Sequence, residues 1–540
     1  VDEPGSRTRQ RLRAWRQGLR RHGLLIAIAA AMLYVFPYFP KIRSANELPR
    51  VYLVQAMADH GTFAIDAGVA RWGTTVDVSC AHAPKGTSLE ACKLRGGHYY
   101  SNKAPGSSML ALPAYVVLKG VTALAGRAPT LGEVTWACRV STGVLPTLWL
   151  LWLLLGFLRR FVPADAADPD EVPRQIVVAY ALGSMALTYS LLFISHQLSA
   201  VCIGAAWILL VQTLDGERSP RWYVVVGLLA GAAPLCDYQA AFAGVPIVAW
   251  LVVRLWRRAD RWAILARLLL GAAPPLALLL GYHAVCFGGP LRTGYDASTT
   301  FAHFHQAGFL GITALRWEAL VGSTVSGDNG LVTFAPWLLL ALPGLALMIR
   351  RGGAARGHAI VIAAIATIYL LFISSINFWR GGWQLGPRYI TAMLPFLLVP
   401  CAVALAAAAR WWWLRGLAWG SILVGVAVYA GAAGVFPHFP EAFGDPIWDL
   451  VVGLIADGHA GPTALSLVGA HGAWTLLPLA ALVLGVVGVA LLRGASPRGR
   501  LASLAVALVI AGATLAAYRQ FPAGKGAPRA YKFVVSTMPH

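Results

Sequence analysis

Apolar runs of 15 to 25 residues, most of them free of charge, recur from Leu24 to Tyr518. A helix of about 20 residues spans a hydrocarbon core about 30 Å thick, so these runs constrain the chain more than any other feature. Lipid offers the backbone no hydrogen-bond partners, and the two-residue alternation of a membrane barrel is absent. The expected fold is therefore an all-α polytopic membrane protein. Composition agrees, since 58% of the residues are hydrophobic and 12% are charged, a balance unsuited to a soluble domain of this length. The formal charge of +21 comes from short basic clusters between apolar runs, which is a topology signal and not a nucleic-acid-binding face.

The runs predict thirteen spans, at about 24–39, 134–158, 175–195, 198–214, 222–236, 239–253, 268–285, 330–349, 359–376, 389–409, 416–435, 472–492 and 501–518. Residues 104–126 are apolar enough to cross but carry Lys119 centrally, with Pro105 and Pro113 near the start. A lysine at mid-membrane costs about 2.5 to 3.5 kcal/mol. Adding this crossing would also invert every later loop. With thirteen spans, the loops assigned to the cytoplasm after residue 126 hold eighteen Lys or Arg, against eight on the opposite side including the tail. Basic loops stay inside, so 104–126 is expected to lie on the outer surface as an interfacial helix.

The basic segment 1–23, with Arg7, Arg9, Arg11, Arg13, Arg16, Arg20 and Arg21, is expected in the cytoplasm. No small-residue cleavage site follows the first run, which reads as a true span. Residues 24–435 form the expected transmembrane module, with a long first outer loop at 40–133, and 436–540 add an outer loop, two C-terminal helices and an outward-facing tail. The expected setting is a bacterial inner membrane.

Polar chemistry then gathers in the outer segments 40–133, 286–329, 377–388 and 436–471. In the first, Glu47 and Arg50 follow the first span, Asp66 and Asp77 lie further on, and Lys103 stands where the chain returns to the membrane. A carboxylate and a lysine at headgroup depth pair a potential general base with a phosphate-binding cation; an ordinary solvated loop is the plain alternative. The stretch 377–389, with Trp383, Arg388 and Tyr389, combines glycines, interfacial aromatics and a cation suited to phosphate. It also fits a simple aromatic belt. Tyr295 lies in a glycine-rich turn, while His196, Asp237 and Tyr238 sit at outer helix ends, where they can line a substrate cavity or serve as ordinary interfacial residues. Asp168-Pro169-Asp170 resembles a two-acid metal motif but falls in a cytoplasmic loop among other acids and reads as a solvated turn. Cys80 and Cys92, twelve positions apart in an oxidising compartment, are expected to form a disulfide.

Taken together these segments resemble the GT-C class of membrane glycosyltransferases, in the branch of protein O-mannosyltransferases and lipid A aminoarabinose transferases. In that branch an Asp-Glu pair follows the first span, an arginine comes shortly after, and a lysine-proline motif closes the first outer loop. Asn46-Glu47, Arg50 and Lys103-Ala104-Pro105 stand in those places, and Gly386-Pro387-Arg388-Tyr389 looks like a stretch found in bacterial members. Asn46 departs from the pattern, since the first acid there is often the proposed base; Glu47 becomes the leading candidate, with Asp66 and Asp77 behind it.

The resemblance implies inverting transfer of a sugar from a polyprenyl-monophosphate donor to a hydroxyl acceptor, on a lipid, glycan or protein, at the outer face. Glu47 would take the acceptor proton, and Lys103, Arg388 and Arg50 would hold the departing phosphate. No cofactor or metal is expected to be obligatory, and membrane lipids are expected partners. A transporter or flippase is the rival reading, but it calls for ionisable residues near the membrane midplane.

Overall fold

The computed structural model describes residues 22–539 apart from 85, 164–165, 299, 301, 306, 309–310 and 494–496; the arginine-rich 1–21 segment lies outside the described residues. The chain is a mostly helical, multi-pass membrane protein. Among the described residues ten helices are long and apolar enough to cross a membrane, and His22–Tyr34, Trp222–Cys236 and Ile447–Ala456 are shorter apolar helices. Each of the thirteen expected stretches is helical over most of its length. Helices His196–Leu214 and Arg388–Ala408 form the centre of the bundle, each 94% buried over its most apolar window. Gly106–Leu124, Arg261–Phe287 and Gly499–Tyr518 lie at its periphery.

Backbone chemistry explains where the helices differ from the expected spans. The first ends at Tyr34, short of the expected 39, because Pro37 has no N–H for a continuing helix. The expected 330–349 span divides into Leu331–Phe334, Pro336–Leu340 and Ala341–Arg351, with Pro336 at the first break. The expected 175–195 span divides at Gly183 and Ser184 into Glu171–Leu182 and Met185–Ser190. Ser184 caps the second piece by accepting from the Ala186 N–H, and the freed Gly183 carbonyl accepts from Trp337 Nε1 at 2.7 Å. A break inside the bundle is tolerated because protein groups meet the released backbone atoms.

Gly106–Leu124 forms one helix around Pro113 and is among the ten that meet the length and apolarity of a span. Lys119 does not stand alone on it. Its Nζ lies 2.7 Å from Asp59, at the end of the neighbouring helix Leu48–His60, and Tyr115 Oη donates to the same carboxylate. The charge that set this helix apart in the sequence is thus paired.

The first outer loop also contains a β-hairpin. Strand β1 (Val78–Ala81) pairs antiparallel with β2 (His98–Ser101), Val78 opposite Ser101 and Cys80 opposite Tyr99. A disulfide joins Cys80 to Cys92 and closes the connection between the strands. A loop this short contributes roughly 3 kcal/mol in the chain-entropy model. Replacing both cysteines by serine should lower stability by about that amount and loosen the segment 82–97. In non-reduced wild-type protein neither thiol should alkylate; mass spectrometry that finds both alkylated would rule out the bridge.

Candidate functional site

The hairpin brings Asp77 and Lys103 together. Asp77 precedes β1 and Lys103 follows β2, so the register that pairs the strands sets the two side by side; the Asn102 N–H donates to the Asp77 carbonyl at 3.2 Å. Lys103 Nζ lies 3.0 Å from Asp77 Oδ1, with both side chains about nine-tenths buried. The hairpin is anchored to the turn after helix Arg261–Phe287, where Ser79 Oγ donates to the Gly294 carbonyl at 2.8 Å. A side chain at Gly294 would meet the Asn102 Cα at 2.4 Å, so only glycine allows this contact. Tyr295, the next residue, places its ring 5.3 Å from Lys103 Nζ, within cation–π range.

These residues line a 370 Å³ cavity at the end of the bundle where the expected outer segments converge. Lys41, Arg43, Lys103 and Arg388 supply four basic side chains, and Asp77 is the one acidic side chain in the lining. Asn46, Trp383, Tyr389 and His438 complete the polar and aromatic walls, and Phe533 comes from the C-terminal helix Ala527–Val535. Arg388 stands at the entrance to a central helix and donates to the Gly381 carbonyl. Gly381 and Gly382 both have positive φ, +73° and +78°, which lets the 377–388 loop fold over the cavity.

At its inner end lies a pocket of 20 Å³ bordered by Arg50, His196, Asp237 and Tyr238, together with Lys103, Tyr295, Arg388 and Tyr389 of the main cavity. That volume accommodates one water or one hydroxyl. Arg50 donates to Asn46 and, at 2.9 Å, to Ser195 Oγ. His196 Nδ1 donates to the Asp237 carboxylate, and Tyr238 Oη meets His283 Nε2 at 2.8 Å. Four buried polar atoms of this lining have no hydrogen-bond partner: Arg50 Nε, His196 Nε2, Gln239 Oε1 and Arg388 Nε. Neither arginine forms an ion pair among the described residues. Buried polar atoms are seldom left unpaired without reason, so the convergence of four on one pocket marks a place for a polar ligand. Burial lowers the Lys103 pKa while the Asp77 charge works against that shift.

Glu47 occupies a different setting from the one expected. Its carboxylate accepts two hydrogen bonds from Arg139, Nε to Oε1 and Nη2 to Oε2, both at 2.8 Å, and the Phe193 N–H donates to Oε1. Only 3% of the Glu47 and 4% of the Arg139 side chain is exposed. Burial pushes the carboxyl pKa up, but the Arg139 charge and hydrogen bonds together with the Phe193 N–H hold Glu47 below its usual range. Arg50 does not pair with it. The Arg139 guanidinium also lies 5.3 Å from the Phe36 ring. The pair borders a second cavity of 490 Å³, lined also by Tyr38, Arg43, Trp72 and His438.

Asp66 is bound to Lys93, His98 and the Tyr99 N–H and lines neither cavity. Its role is to fasten helix Asp66–Trp72 to β2. Of the three acids singled out in the sequence, Asp77 alone faces the main cavity. Asp168 and Asp170 are salt-bridged to Arg174 and Arg159, as a solvated turn would be. Among the described residues no three His, Cys, Asp or Glu side chains are grouped to hold a metal ion.

Sequence reasoning passed over Arg139, His438, Lys41 and Arg43. Arg139 carried a usable signal, since an arginine inside an apolar run calls for a buried partner. His438 joins the two cavities, and burial lowers its pKa to about 4, so it adds no positive charge near neutral pH. No protein-family model matches the chain, and no curated protein matches it in sequence.

Proposed function

We propose that the chain is an inverting glycosyltransferase that moves a sugar from a polyprenyl-monophosphate carrier to a hydroxyl acceptor at the outer face of the bacterial inner membrane. The observation that carries this reading is the 370 Å³ cavity, in which one carboxylate, Asp77, stands among Lys103, Arg388, Lys41 and Arg43. An excess of lining cations, two of them, Lys103 and Arg388, largely buried, suits a phosphate, and a lone acid beside them suits a proton acceptor. The acceptor oxygen attacks the anomeric carbon, its proton passes to Asp77, and the bond from that carbon to the phosphate oxygen breaks. The departing polyprenyl phosphate takes the electron pair, and Lys103 and Arg388 stabilise its charge. Arg50 and His196 line the inner pocket, which receives a hydroxyl of the sugar.

In this reading Glu47 leaves the catalytic role and becomes, with Arg139, the strut that fixes the first helix of the loop against the bundle. Its carboxylate already accepts three hydrogen bonds and has little capacity left for an acceptor proton.

Alanine at Lys103 or Arg388 should weaken binding of a polyprenyl-phosphate sugar, because truncating one partner of a desolvated charge contact costs about 2 to 5 kcal/mol. Donor affinity that is unchanged in both variants would refute the assignment. The orientation is tested by cysteines introduced at 77–103 and 159–174. An impermeant reagent added outside should reach the first segment, and labelling of the second would reverse the topology.

A further inference from the structure

The largest of the three roomy cavities, 560 Å³, is far from this site. Arg139 borders the second cavity and Arg159 the third, and both lie on the helical run Leu131–Phe161. Twenty residues at 1.5 Å each separate them by about 30 Å, the thickness of a bilayer's hydrocarbon core. The third cavity therefore sits at the opposite membrane interface.

Its wall is apolar, built from Leu24, Leu155, Leu482 and Val486 on three different helices. Its polar end carries Arg159, Arg174 and Arg493 against a single lining acid, Asp170. Arg159 is paired with Asp170 and Arg174 with Asp168. Arg493 forms no ion pair among the described residues, and Arg174 Nε is buried without a partner. Gly485 lines the cavity, and a Cβ there would meet nothing within 4 Å, so the space is kept open by the absence of a side chain.

We propose that this cavity binds one anionic phospholipid, with an acyl chain along the Leu24, Leu155 and Leu482 wall and the phosphodiester at Arg174 and Arg493. Basic pockets between spanning helices favour lipids of net negative charge. A zwitterionic headgroup would bring its own ammonium against the same arginines.

Native mass spectrometry of the delipidated full chain, given phosphatidylglycerol or phosphatidylcholine in mixed micelles, tests it. One phosphatidylglycerol per chain should survive activation while phosphatidylcholine is lost. Arg493→Gln should weaken retention by about fivefold, and Gly485→Leu should abolish it with an unchanged melting temperature in phosphatidylcholine. Equal retention of the two lipids by the wild type would overturn the proposal. Undiminished phosphatidylglycerol binding in Arg493→Gln would do the same, and that variant decides alone if Gly485→Leu folds poorly.

Discussion

Replacing Asp77 by Asn should reduce kcat for sugar transfer by about 10²- to 10⁴-fold, the usual worth of a positioned base, while the donor still binds. Asparagine keeps the shape of the side chain and loses the proton acceptor. The substitution also leaves Lys103 buried without its carboxylate, 3.0 Å away in the wild type, and an orphaned buried charge destabilises by itself. Asp77→Asn combined with Lys103→Met reads the stability effect alone, since neutralising both partners should restore the melting temperature toward the wild type. Because Lys103 also holds the donor phosphate, turnover is read in folded Asp77→Asn saturated with donor. Single-turnover kinetics on a polyprenyl-phosphate sugar reads the chemical step directly, and near-normal turnover in Asp77→Asn would remove Asp77 from the mechanism.

Glu47→Gln should behave in the opposite way, losing stability first. Breaking a buried ion pair by removing one partner costs about 3 to 5 kcal/mol, because the other charge stays buried and uncompensated. Glu47 and Arg139 meet that description, with two hydrogen bonds between side chains that are almost wholly enclosed. Replacing the pair by Met and Leu should recover most of the loss, as apolar groups of similar volume often substitute for buried ion pairs. The decisive reading is turnover in that double variant. Recovered activity makes Glu47 a structural residue, while a stable but inactive protein would return the base to Glu47.

Much of the bundle was legible in the sequence because the bilayer limits the choices. An apolar run from Gly353 to Ser375 has no alternative to a helix once it is in lipid. Helix interruptions were less legible, since Gly183 and Pro336 sit in runs apolar enough to cross, and the groups that satisfy the broken backbone, the Ser184 hydroxyl and the distant Trp337 indole, carry no local signal. In the first loop, the sequence singled out Asp77, Lys103 and both cysteines but not the hairpin that assembles them. Four-residue strands such as Val78–Ala81 carry too little alternation to stand out. The assignment of Glu47 followed its position in the motif. Its partner Arg139, 92 residues along the chain, is a contact that local spacing does not reveal. Phe533 and the Lys41 Nζ bond to the Ser536 carbonyl at 2.8 Å bring the C-terminal tail to the cavity in the same unreadable way.

Cleavage of a lipid-linked sugar is read most directly on the carrier. Purified full-length protein is incubated with polyprenyl-phosphate sugars and a hydroxyl acceptor, and the lipid products are resolved by mass spectrometry. Release of free polyprenyl phosphate, dependent on Asp77 and matched by glycosylated acceptor, is the predicted result. A donor that crosses the membrane of a proteoliposome intact, with no polyprenyl phosphate released, would make the protein a transporter and not a transferase.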